Sequence, residues 1–116
     1  MTNRSKAKGT AWESAIIAYL RLRGWPYAER RALNGAIDKG DVAGIPGVVI
    51  EAKNAKTINL ACWLDEATLE ADNDHAAVGV VWFKRRGHIN ADHGYVLMDG
   101  DTFTHLLHDA GYGGSP

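Results

Sequence analysis

The chain has 116 residues, 46% hydrophobic and 23% charged, with 13 Lys+Arg against 14 Asp+Glu for a formal net charge of −1. This is ordinary globular usage at the length of one domain, and it excludes wholesale disorder and a coiled coil. The single cysteine, Cys62, excludes an internal disulfide framework and any cysteine-based zinc cage.

In chain order, residues 1–8 are polar and basic (Arg4, Lys6, Lys8) and read as a flexible arm without a signal-peptide apolar stretch. Over residues 9–23 the positions Trp12, Ile16, Tyr19 and Leu20, with Ile17, follow helical spacing. Gly24 stops that helix and Pro26 forbids its continuation. Residues 27–31 can form a strand, and a stretch rich in Gly and Pro follows, interrupted by Asp41-Val42-Ala43. Val48–Lys53 is a strand by its β-branched content. Asn59 is placed to cap a second helix with Leu60, Trp63, Leu64, Ala67 and Ala71 on one face; Asp65, Glu66, Glu70 and Asp72 are read onto the other.

Residues 77–83 form a continuous apolar run, the pattern of a central strand covered on both faces. Residues 95–98 give a further short strand. Asp101 is read as the cap of a last helix carrying Phe103, Leu106, Leu107 and Ala110, closed by Gly111. Residues 112–116 read as a disordered tail. The expectation is one α/β domain over residues 9–111, a mixed central β-sheet flanked by α-helices. No stretch approaches the roughly 18 apolar residues of a membrane span, so no membrane partner and a cytoplasmic location are expected.

The charge is unevenly spread. Residues 1–56 hold ten Lys/Arg against five acids, and residues 57–116 hold three against nine. A basic half beside an acidic half can mark a nucleic-acid face, or it can be an uneven solvated surface.

The strand around Glu51 carries the chemistry. Alternation sends Glu51 and Lys53 to one face and Val48, Ile50 and Ala52 to the other. Such a triplet also serves as an edge-strand solubility device. A hairpin through Ile45-Pro46-Gly47-Val48 would, however, bring Asp41 beside Glu51. Glu13 shares a helical stripe with Ile16, Ile17 and Leu20, either snorkelling at its margin or held inside by a partner. Three carboxylates and a lysine at one sheet end suit Mg²⁺, which takes oxygen ligands and keeps several waters. An ion so placed polarises a phosphate and lowers the pKa of bound water, and lysine can orient or deprotonate that water and counter the developing charge.

Glu13 in the opening helix, then Gly40-Asp41, then Glu51-Ala52-Lys53 resembles the PD-(D/E)XK nuclease superfamily. Within it, the chain looks most like archaeal Holliday-junction resolvases and small phage proteins of that type. Gly40 stands where the motif's name has Pro, and the loop before the aspartate lacks the small hydroxyl residue the family often has there, with Asn34 as a possible substitute. The resemblance implies a restriction-endonuclease-like nuclease core. Asp41 and Glu51 would hold Mg²⁺ (with Mn²⁺ substituting), the Ala52 carbonyl would help, Lys53 would act on the attacking water, and Glu13 would support the metal or bind a second ion. It also implies a homodimer nicking symmetric strands of branched DNA, with no small-molecule cofactor, in the host cytoplasm if phage-encoded. The alternatives are a nuclease of the same fold acting on flaps or duplex, and a non-catalytic DNA-binding module.

Phosphate contacts are expected from Lys6, Lys8, Arg30, Arg31, Asn34, Lys39 and Lys56. Lys84-Arg85-Arg86 serves equally as a solvated turn or a DNA contact. His105 and His108 read as structural or surface residues, and no zinc set is apparent. Trp12, Trp25, Trp63 and Trp82 are expected in the core or a dimer interface, and Cys62 as a small buried apolar residue.

Overall fold

The computed structural model of the chain describes residues 3–32 and 37–114. Helices α1 (Asn3–Leu22), α2 (Leu60–Asn73) and α3 (Gly100–Asp109) surround strands β1 (Glu29–Arg30), β2 (Val42–Ala43), β3 (Val48–Lys53), β4 (Val78–Phe83) and β5 (Tyr95–Leu97). The sheet is five-stranded and mixed, in spatial order β1-β2-β3-β4-β5. β1, β2 and β3 pair antiparallel, β3 and β4 parallel, and β4 and β5 antiparallel. Parallel neighbours need a crossover, which α2 supplies. This is the α/β architecture the sequence leads one to expect.

The period of 3.6 in α1 buries Trp12, Ile16, Ile17 and Leu20 against Val42, Ile50, Val78, Val80 and Trp82 on one face of the sheet. Trp12 Nε1 donates to the Trp82 carbonyl at 3.0 Å, and Trp82 Nε1 donates to the Ala91 carbonyl at 3.0 Å. Both indoles therefore bury their area without an orphaned N–H. On the other face, Trp63 and Ala67 of α2 cover Val81 and Phe83. β4 is buried along its whole length, as its unbroken apolar run requires.

Several expectations are corrected. The helix begins at Asn3, so residues 3–8 extend α1 instead of forming an arm. No Pro interrupts them, and helix propagation from the packed turns costs little per added residue. The α3 cap is Asp99, whose side chain accepts from the Thr102 N–H at 2.8 Å; Asp101 lies inside the first turn. The Thr102 side chain, together with that backbone bond, holds the exposed Asp99 carboxyl below its usual range. Cys62 is exposed, because the register of α2 turns Trp63 inward. Trp25 follows the end of α1 and is 44% exposed, unlike the other three tryptophans. Residues 115–116 of the expected tail, and Asn34, lie outside the described residues. Among the described residues, no helix is long and apolar enough to cross a membrane.

Candidate metal centre

Asp41, Glu51 and Lys53 come together where β2 and β3 separate. The Asp41 N–H donates to the Ile50 carbonyl at 2.9 Å, prolonging the β2–β3 ladder by one rung. Asp41 Oδ2 then accepts from the Ala52 N–H at 2.8 Å. A residue's N–H and C=O leave an extended strand on the same side, so the Ala52 carbonyl also faces Asp41. Asp41 thus lies against the Ala52 backbone.

Glu51 and Lys53 project to the α2 face. Lys53 Nζ lies 2.8 Å from Glu66 Oε1 and 3.2 Å from Glu66 Oε2, and 3.9 Å from Glu51 Oε1. Burial alone would lower the lysine's pKa. The Glu66 hydrogen bond and the charges of Glu51, Glu66 and Asp41 outweigh it, so the pKa is raised and the amine stays protonated. It can donate hydrogen bonds and offset negative charge at neutral pH, but it is a poor base.

Glu13 sits at the margin of the α1 stripe, half-buried, with Oε2 3.8 Å from Arg30 Nε. Its pKa is raised by partial burial and by the nearby Asp41 charge, against the pull of Arg30. It therefore feels the site across the sheet while already paired with Arg30.

The structure adds two acids that the sequence reading leaves out of the site. Glu70 of α2 is only 1% exposed and Glu51 is 6% exposed. Asp38 lies on the loop before β2. One carboxylate oxygen each from Asp38, Glu51 and Glu70 fall within 4.8 Å of one another, a spacing that can hold a metal ion. Glu70 is therefore not on the solvent face of its helix, where its charge suggests it belongs. It stands seven residues after Trp63 and three after Ala67, which is the buried stripe. That spacing is the available signal, and the residue's charge conceals it.

Burial raises the Glu51 carboxyl to about 12, helped by Glu70 and Asp41, and burial raises Glu70 to about 7. Without a cation, a carboxylic acid facing a carboxylate is the low-energy form of this pair. The folded pair keeps protons that an unfolded chain releases near pH 4.5. The Glu70 contribution to stability is therefore complete below that pH and is lost as pH rises through about 7, where Glu51 still keeps its proton. In EDTA, urea unfolding from pH 4.5 to 8 should show the parent losing stability relative to Glu70→Gln as pH rises. A pH-independent difference between the two would contradict this proton linkage.

The expected phosphate contacts divide into two groups. Arg30 Nη2 donates to the Thr10 carbonyl at 3.1 Å and to Ser14 Oγ at 3.0 Å, and Arg31 Nη2 donates to Asp74 Oδ2 at 3.2 Å. Both guanidinium groups are thus engaged within the chain. Lys6 is exposed on the first turns of α1, and Lys39 is half-buried on the Asp38 loop. Lys8, Lys56, Lys84 and Arg85, joined by Arg86 and Tyr95, line a groove of about 830 Å³. Asn54, the residue after Lys53, is also part of its lining. Arg85 lies over the Tyr95 ring, 5.8 Å from its centroid. Comparison with known proteins found no matching family model, no matching curated protein and no matching solved structure.

Proposed function

We propose that the chain is a divalent-metal-dependent endodeoxyribonuclease with a restriction-endonuclease-like core, cutting branched DNA as a Holliday-junction resolvase does. The observation that carries the reading is the junction of β2 and β3. Asp41, the Ala52 carbonyl and Glu51 adjoin there, with a protonated lysine on the same strand. Glu13 on α1, Asp41 just before β2 and Glu51 with Lys53 on β3 also follow the order of that superfamily's motif, which supports the reading.

Asp41, Glu51 and the Ala52 carbonyl would hold Mg²⁺, and Mn²⁺ would substitute. The ion would supply a polarised phosphate and a more acidic water. Lys53 orients that water and offsets charge on the phosphate, while Glu66 fixes its ammonium. The basic groove carries the DNA backbone to the site, giving affinity that falls with salt. A second copy gives the paired nicks. The edge strand β5, where Val96 is 46% exposed, offers it an apolar border.

The test offers the protein a synthetic four-way junction, a matched duplex and a flap, with Mg²⁺ or EDTA. Symmetric Mg²⁺-dependent nicks confined to the junction are expected. Equal cutting of plain duplex removes the junction assignment, and no cutting of any substrate turns the reading to a DNA-binding module.

A further inference from the structure

The α2 side of Glu51 contains an arrangement that Asp41, Lys53 and Glu13 do not use. Glu70 is almost wholly enclosed, and among the described residues neither of its carboxylate oxygens has a hydrogen-bond partner, nor does the buried Glu51 Oε2. Three buried oxygens facing one another without a donor are costly unless a cation or a proton lies between them. Lys53 does not meet this need, because its ammonium is held by Glu66 and approaches Glu51 through Oε1.

The surrounding chain holds Asp38 against this pair. Asn73 of α2 donates its side-chain N–H to the Asp38 carbonyl at 2.9 Å, and Asp38 Oδ1 accepts from the Gly40 N–H at 2.9 Å. Gly40 has φ +91°, and a Cβ there would stand 2.7 Å from Val49 Cγ1 and 3.4 Å from Glu70 Oε2. Only glycine suits this turn, because of its positive φ and the close approach of Val49 and the Ile50 carbonyl. Asp38 is exposed, so the cluster opens to solvent on one side.

We propose that Glu70, Glu51 and Asp38 form a second divalent-cation position, on the α2 side of the sheet, with Glu51 shared between it and Asp41. Three carboxylate oxygens leave a hard cation room for the waters that Mg²⁺ or Mn²⁺ retains. The position rests on the nuclease reading and deepens it, since two ions sharing a carboxylate can clamp both the attacking and the leaving oxygen of one phosphate. It assigns to α2 a metal-binding role that the Glu-x-Lys strand alone does not reveal.

The test titrates the metal-stripped full chain with Mn²⁺ and follows free Mn²⁺ by electron paramagnetic resonance. Glu70→Gln should bind one Mn²⁺ fewer than the parent, or bind that equivalent at least about tenfold more weakly, since losing even a residue that only supports a metal ligand weakens binding that much. Its stability in EDTA should not fall, because the new amide can donate to Glu51. Asp38→Asn, on an exposed loop, should weaken the same equivalent, and it decides the matter alone if Glu70→Gln does not fold. Unchanged Mn²⁺ count and affinity in the folded variants would mean a shared proton fills the gap, and that overturns the proposal. A chain that shows the extra Mn²⁺ yet cuts no DNA keeps this position and loses the nuclease reading. Cutting without the extra Mn²⁺ does the opposite.

Discussion

Asp41→Asn and Glu51→Gln should each lower junction cleavage by on the order of 10³-fold while leaving junction binding nearly unchanged. The separation follows from where the groups stand. Asp41 and Glu51 are at the β2–β3 junction, whereas the cations available for phosphate line the groove beyond Asn54. Removing a carboxylate takes charge away from the metal and leaves the basic groove intact, so affinity for DNA holds or rises slightly. Neither variant should unfold the chain. Asp41→Asn keeps a side-chain oxygen for the Ala52 N–H, and Glu51→Gln removes a carboxyl whose ionised form the buried site disfavours. Single-turnover cleavage and gel-shift affinity, measured with the same DNA, check both halves. Cleavage within about tenfold of the parent in either variant would refute the site.

Much of this arrangement is legible in the sequence because two periodicities express it directly. The stripe Trp12, Ile16, Ile17 and Leu20 marks α1, and the alternation in Val48–Lys53 puts Glu51 and Lys53 on a common face. The Pro-Gly turn between Ala43 and Val48 returns Asp41 to Glu51's strand, as its position in the sequence suggests. The hidden part depends on tertiary approach. Glu70 occupies a core position by spacing, but a charged residue reads as solvated unless its buried partner is known. Asp38 joins the cluster only because the Asn73 side chain and the Gly40 turn hold its loop on α2. Glu66 meets Lys53 across the α2–β3 interface, a contact between residues 13 apart that no local pattern encodes. Sequence alone cannot choose between Asp99 and Asp101 as the α3 cap, since both suit the chemistry; the Thr102 N–H decides it.

That dependence on close approach makes Gly79 a sensitive position outside the acidic site. Gly79 lies on β4 beneath α2, and a Cβ there would stand 2.6 Å from the Ala67 carbonyl oxygen and 3.0 Å from the Ala71 Cβ. The obstacle is largely helix backbone, so no rotamer change relieves it. Gly79→Val should push α2 off the sheet and destabilise the fold by about 1–3 kcal/mol, the range for overfilled cores. Valine's β-propensity recovers only part of this, since that whole scale spans roughly 1 kcal/mol. Because α2 carries Glu66 and Glu70, the same displacement should loosen Lys53 and lower cleavage in whatever fraction remains folded. Gly9→Ala provides the control. Among the described residues a Cβ at that helical position meets nothing within 4 Å, so it should be neutral or stabilise by about 0.5–1 kcal/mol. Urea unfolding of both variants, read beside cleavage, tests the argument. If Gly79→Val unfolds at the parent's midpoint and cuts at the parent's rate, then the closeness of α2 to the sheet is not what positions Glu66 over Lys53.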